Sequence, residues 1–254
     1  MEKPQDIELL RDIIYEKEME CPLCKAVIKK KCVKGSKNRL IRTDYDLCSH
    51  YEKVNPLFYE VIVCNACGFA QINKRKEMPT AAETELICRQ VSMKFSGRNY
   101  SEFYTAEEAI DRYKLALLNA IVRNASEGEK AYIALKIGWI YRELGEEEKE
   151  VYFLEQARNG LIEAYHKEGD SIFELNEEMI CYLVAALSYR IGDYKRVYKW
   201  IDNILKNKKL EPKLKSRCFE LMEMTRNMAK QKEVVTCYNK SEQEKINSER
   251  GERV

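Results

Sequence analysis

Apolar residues at helical spacing dominate the chain from Thr105 onward. Apolar side chains that recur three and four positions apart share one face of a helix, which is the pattern of an amphipathic helix. Thr105 with Glu108, and Ser126 with Glu129, have the spacing of a capping box, and Asn176 is a third candidate N-cap. The pattern predicts helices at residues 106–123, 127–144, 146–168, 176–191, 194–206 and 212–232.

Two of the predicted helix pairs repeat one spacing of small and apolar residues around a turn glycine, Gly145 in the first pair and Gly192 in the second. This spacing is typical of tetratricopeptide-like repeats, with small residues at Gly138 and Ala185 that let the paired helices approach closely. Stacked pairs of this type form a concave face that binds peptides. Four aromatic residues are candidates for lining such a groove: Trp139, Tyr141, Tyr182 and Tyr189.

The first hundred residues have a different pattern. Helical spacing is confined to residues 5–17 and 81–89, and short apolar runs predict strands at residues 27–28, 32–33, 39–42 and 58–63. We divide the chain into an N-terminal helix (1–18), a small β module (19–72), a linker with one helix (73–104), a helical domain (105–235) and a charged tail (236–254). The predicted fold class is mainly α.

Two Cys-x-x-Cys pairs, Cys21 with Cys24 and Cys64 with Cys67, mark the ends of the β module. Paired cysteines at this spacing form turns in which both thiolates point at one ion, and Gly68 allows the positive φ that follows the second pair. Four thiolates fill a tetrahedral coordination shell, so we predict a structural Zn²⁺ site, with iron as the alternative. We call residues 19–72 the cysteine module. A segment of this size buries too little apolar surface to fold alone, and metal binding would supply the missing stability.

Other polar residues lie between the two cysteine pairs. Cys32, Cys48 and His50 could bind a second ion or replace one of the four ligands, although the Cys48-x-His50 spacing is unusual for zinc and a fourth ligand is missing. The alternative is that they are ordinary residues of the module, with Cys48 and His50 near the metal site. Asp44 and Asp46 form a carboxylate pair, which acid–base chemistry would require. No nucleophile accompanies them, so we expect them to tie their loop to the turns that hold the metal.

The 254 residues carry a net charge of only +2, so overall charge indicates neither a nucleic-acid nor a membrane partner. No apolar run reaches the length of a membrane span, and the N-terminus lacks a signal-peptide pattern. We therefore expect a cytoplasmic protein whose ten cysteines stay reduced or bind metal.

The charge is unevenly distributed, because residues 25–43 contain eight Lys and Arg and no acid. Such a basic run can follow a phosphate backbone, and it can equally be a solvated surface. Six of its members are candidate nucleic-acid contacts: Lys29, Lys30, Lys31, Lys34, Lys37 and Arg39.

Several motifs together resemble a known family. The most specific is the segment from Asn55-Pro56-Leu57-Phe58-Tyr59-Glu60-Val61 to Cys64-Asn65-Ala66-Cys67-Gly68-Phe69-Ala70. Further matching pieces are residues 21–24, 44–48, 51, 106–110, 139–142, 182–183 and 190–194. The chain resembles, over residues 19–210, the bacterial domain-of-unknown-function family 2225. The resemblance implies a cytoplasmic zinc-binding protein in which a zinc-ribbon-like module precedes tetratricopeptide-like helices, and it implies no reaction.

The sequence favours a non-catalytic zinc-binding adaptor whose helical repeats bind a protein partner. It contains no phosphate-binding glycine loop and no hydrolase or metalloprotease motif, so we expect neither an enzyme nor a small-molecule substrate. The alternative is a nucleic-acid-binding regulatory protein that uses the basic segment of the cysteine module.

Overall fold

The computed structural model describes residues 4–73, 75, 77–167, 171–172, 175–207 and 209–230. Helices predominate among them, which confirms the mainly α fold class. The predicted charged tail at residues 236–254 lies outside the described residues.

All the helices except α1 begin and end close to the predicted positions where the structure describes their ends. Their bounds are α1 Pro4–Ile13, α2 Ala81–Gln90, α3 Ala106–Val122, α4 Glu127–Glu143, α5 Glu147–Lys167, α6 Glu177–Ile191, α7 Tyr194–Leu205 and α8 at 212–230. From α3 to α7, each end agrees with the prediction to within one residue. Local capping explains this accuracy, because a capped helix start is fixed by residues adjacent in sequence.

The predicted caps form, with one difference. The Thr105 side chain accepts a hydrogen bond from the N–H of Glu108, whose carboxylate accepts one from the N–H of Thr105, so the capping box is complete. The Oδ1 of Asn176 accepts from the N–H of Met179. Ser126 caps α4 through its hydroxyl, but the Glu129 carboxylate pairs instead with Arg123.

In the part of the chain that the structure describes, eight short strands form antiparallel pairs. They are β1 Ile14–Glu20 with β2 Val27–Val33, β3 Leu40–Thr43 with β4 Ser49–Tyr51, β5 Val61–Val63 with β6 Ala70–Ile72, and β7 Ser171–Ile172 with β8 Leu175–Asn176. The prediction of one helix over residues 5–17 is wrong at its end, since the helix ends at Ile13 and β1 starts at Ile14. Pairing along the whole of β2 outweighs the helical spacing there, and β2 is continuous where two short strands were expected.

The cysteine module shares its interior with the helices. Val61, Phe69 and Ile72 pack in one core with Ile110 and Tyr113 of α3. A second core joins Cys48 and Leu57 of the module to α4, α5, α6, α7 and α8. The cysteine module is therefore held against the helical part by apolar packing on two sides.

The helical part is a series of hairpins in which α4 packs on α5 and α6 packs on α7. A Cβ added at Gly138 would lie 2.6 Å from Leu154, so these helices are as close as the small residue suggested. Gly145 and Gly192 both have positive φ, as the turns between the helices require.

Candidate metal centre

Four cysteine side chains from the two ends of the cysteine module meet at one point. The Sγ atoms of Cys21 and Cys67 are 3.7 Å apart, those of Cys24 and Cys64 are 3.5 Å apart, and all four lie within 4.8 Å of one another. A tetrahedral ion bonded to four thiolates at about 2.3 Å separates the sulfurs by about 3.8 Å. A disulfide would bring two of them to about 2 Å, and these four are free thiols. The donor set and its spacing therefore fit a bound metal ion.

The two cysteine pairs have the same backbone turn. The N–H of Cys21 donates to the carbonyl of Ala26 at 2.9 Å, and the N–H of Cys64 donates to Phe69 at 2.8 Å. Each turn also contains a left-handed residue directly after its second cysteine, Lys25 with φ of 66° and Gly68 with φ of 73°. The predicted positive φ at Gly68 is confirmed, and the first turn reaches the same conformation with a lysine.

Burial raises the pKa values of the cysteine thiols, and hydrogen bonds from backbone N–H groups lower them. Burial raises the pKa of Cys21 to about 11 even though backbone N–H groups of Cys24 and Leu23 stabilise its thiolate. Burial also raises the pKa of Cys67 well above its ordinary value. Cys24 is more exposed than the other three. Partial desolvation raises its pKa, but hydrogen bonds from the N–H of Ala26 and from the other sulfurs lower it by more, so the pKa of Cys24 is lowered. An ion must therefore displace protons from the buried thiols when it binds.

Residues outside the module fasten the second turn. Asn119 of α3 donates from Nδ2 to the carbonyl of Gly68 at 3.0 Å, and Asn65 accepts from the N–H of Arg98 at 2.6 Å. The Phe95 ring packs on Gly68 so closely that an added Cβ would lie 2.6 Å from it. Sequence reasoning missed these contacts, although one signal was available: Asn119 is a polar residue on the apolar face of a predicted helix.

Cys48 and His50 do not join the four cysteines but form a second group with Asp44, whose ligand atoms also lie within 4.8 Å of one another. They are therefore not part of the four-cysteine ligand group, and their role as ligands of a second ion stays a prediction. His50 Nε2 lies 2.8 Å from Asp44 Oδ2, and guanidinium groups of Arg42 and Arg142 also contact the Asp44 carboxylate, at 2.6 and 3.2 Å. Burial raises the pKa of Cys48 to about 12, with Asp46 adding to the shift. An ion here would have to compete with two guanidinium groups and a protonated thiol.

Asp46 has a structural position, as expected, but its partner differs from the expected one. The side chain is completely buried, accepts from Arg142 Nη2 at 2.5 Å and accepts from Trp139 Nε1 at 3.1 Å. It therefore ties its loop to α4 rather than to the turns that hold the metal.

Three of the four aromatic residues proposed for a peptide groove are in the interior. Trp139, Tyr141 and Tyr182 are buried, and the Tyr182 hydroxyl donates to the carbonyl of Tyr45 in the cysteine module at 2.7 Å. Tyr189 is half-buried and contacts the Tyr45 ring edge-on. The loop from Asp44 to Cys48 covers Trp139, Tyr182 and Tyr189, whereas Tyr141 stacks on Phe153 of α5. The groove prediction is therefore wrong for the three buried residues.

The basic residues of the cysteine module are divided between surfaces. Lys29 and Lys31 share one face of β2, whereas Lys30 lies on the other face and donates to Asn73 at 2.5 Å. Lys34 and Lys37 both contact Asp12. Arg39 is exposed. The six candidates do not form one continuous strip.

None of the helices in the described parts of the chain combines the length and apolar character that crossing a membrane requires. No curated protein and no solved structure matches the chain. A family described as "Uncharacterized protein conserved in bacteria (DUF2225)" matches residues 14–231. This match includes all four clustered cysteines and the helices that hold them, and the chain belongs to this bacterial family.

Proposed function

We propose that the chain is a non-catalytic, zinc-binding scaffold whose helices bind a protein partner. Zinc suits four thiolates in a shell with no open position, where it stabilises a fold without acting on a substrate. The metal would hold together a module that is itself packed against α3 and α4. Its role would be to keep the shape of the scaffold.

The observation that carries the proposal is a groove on the helical part. A cavity of about 360 Å³ lies between α3, α4 and α5. Ile121 and Tyr152 on its walls are 54% and 57% exposed, and together they form an apolar patch of the kind that marks interaction sites. Leu117 and Phe153 extend the apolar surface.

Small residues form the floor of this groove. Ala131, Ala134 and Gly160 line it, and a Cβ at Gly160 would lie only 2.9 Å from that of Ala131. The amides of Gln156 and Asn159 also line the groove and can bond a peptide backbone. This chemistry suits a partner segment that inserts one apolar side chain and bonds to the amides with its backbone.

Site-directed photo-crosslinking in the native cell tests the proposal. A photoreactive phenylalanine analogue at position 152 lies in the groove. The control is the same analogue at Met93, which is more accessible, at 80% exposed. We expect one predominant protein adduct at position 152 and none at position 93. The partner protein identified in that adduct, once purified, should bind the wild-type chain and bind the Tyr152→Ala variant more weakly. Identical adduct patterns at the two positions would contradict the proposal.

A further inference from the structure

A second cavity, of about 370 Å³, lies beside the metal centre. It is formed where β1, β2, the second cysteine turn, the segment from Arg98 to Tyr104, and α3 meet. Its charged lining residues are Lys29, Lys31, Arg98, Arg112 and Glu16. Four cations and one carboxylate thus face the same space. We call it the basic pocket.

Arg112 is the most unusual member of the basic pocket. Its side chain is only 5% exposed, and its guanidinium lies 4.1 Å from the centre of the Tyr104 ring. Nη2 donates to the carbonyl of Val61 at 2.5 Å, but the buried Nε has no hydrogen-bond partner. A buried charged donor without an acceptor is costly, so the site favours a ligand that supplies one.

The other cations are arranged around this group. Lys31 lies across the Tyr104 ring at 4.5 Å and donates to the carbonyls of Ser101 and Glu102. Burial lowers the pKa of Lys31, and Glu16 partly opposes this shift. Arg112 lowers the pKa of Lys31 further, because the two cations repel each other. Lys29 lies two positions before Lys31 on the same face of β2 and is exposed. Arg98 is paired with Asp111, which holds it at the rim.

We propose that the basic pocket binds a phosphate group. A phosphate supplies acceptor oxygens for several donors at once and relieves the repulsion between Lys31 and Arg112. The group could come from free phosphate or a nucleotide, or from the backbone of single-stranded nucleic acid, and the chemistry of recognition is the same. Asn65, between the cysteines of the second turn, lines the basic pocket, so the metal centre supports one wall. This site is independent of the groove proposed for a protein partner.

Calorimetric titration of the full-length, metal-loaded protein tests the proposal. The probes are inorganic phosphate, uridine 5′-monophosphate and a single-stranded RNA 12-mer, each at constant ionic strength. The variant is Lys29→Gln, and Lys30→Gln is a matched control that removes the same charge from the neighbouring residue on the opposite face of β2. A second variant, Lys31→Gln, is compared with wild type by circular dichroism to show that it folds.

We expect saturable binding that Lys29→Gln and Lys31→Gln each weaken by about tenfold, since each removes a charge-assisted contact. Lys30→Gln should change the affinity by less than about twofold, because Lys30 does not line the pocket and bonds to Asn73 instead. Equal affinity for all three probes would assign the pocket to small phosphates. Tighter RNA binding that phosphate displaces would assign it to a nucleic-acid backbone.

Three results would overturn the proposal. The first is no saturable binding of any probe below about 10 mM. The second is equal weakening by Lys29→Gln and Lys30→Gln, which indicates diffuse attraction to the surface. The third is RNA binding that phosphate does not displace, which places the contact outside the pocket.

Discussion

Arg142 of α4 and Asp46 of the cysteine module form a buried ion pair, with 2.5 Å between Nη2 and Oδ2. Arg142 also pairs with Glu150 of α5, which in turn pairs with Arg190 of α6 at 2.8 Å. One chain of charges therefore connects the module to three successive helices. Trp139 Nε1 donates to the same Oδ2 at 3.1 Å, and Oδ1 accepts from Arg142 Nη1 at 3.1 Å, so both oxygens of the Asp46 carboxylate are hydrogen-bonded.

Replacing Asp46 tests the importance of this connection. The Asp46→Asn variant weakens the charge-assisted bonds of the half-buried Arg142, which keeps Asp44 and Glu150 as partners. We therefore expect a loss of about 1.5–3 kcal/mol in the free energy of unfolding. Urea unfolding measures it. The matched control is Glu163→Gln, which removes the carboxylate of an exposed pair with Lys167 and should leave the free energy nearly unchanged. Similar small effects for both variants would show that the pair does not hold the module in place.

Gly68 provides a second prediction. In the Gly68→Ala variant the new Cβ meets the Phe95 ring, and the alanine must adopt the positive φ of Gly68. We therefore expect a lower melting temperature and reduced metal content. Gly145→Ala is the matched control, since Gly145 has almost the same φ, 72°, with nothing within 4 Å of an added Cβ. Backbone strain alone costs about 1–2 kcal/mol, so the control should be the milder change. Equal effects would mean that the contact with Phe95 is unimportant.

Metal affinity should depend strongly on pH. The pKa of Cys21 is raised to about 11 and that of Cys67 is also raised, so both thiols hold protons at neutral pH without the ion. Each proton must leave when a thiolate binds metal, and the apparent affinity therefore rises with pH through the neutral range and falls on acidification. Competition with a chromophoric chelator at pH 7 and pH 8 should show about a hundredfold increase, which corresponds to two protons released. An affinity that does not change with pH would contradict the assignment.

The sequence predicted what is local in the chain. The helices of residues 106–205 follow from periodicity and from caps such as Thr105, and the metal site follows from two short cysteine motifs. The loop around Asp46 was beyond reach because its partners, Trp139 and Arg142, are more than 90 positions away and leave no periodic pattern. For the same reason Trp139 and Tyr182 were assigned to an open groove.

The start of β1 shows a second reason why a prediction from sequence fails. Ile13 and Ile14 fit the apolar stripe of a helix, and both are buried as that stripe requires. The helix nevertheless ends between them, since residues from Ile14 onward pair with β2. Pairing with the next strand along the chain thus overrides a local helical pattern.

The central claim is that four cysteines bind one metal ion and that this ion holds the cysteine module in shape. Elemental analysis of the purified protein, combined with counting of reactive thiols, tests it most directly. We predict one zinc ion per chain, four thiols that become reactive only after a strong chelator is added, and loss of the ion in the Cys64→Ser variant. A metal-free protein with intact folding, or four thiols that react equally fast before and after chelation, would contradict the claim.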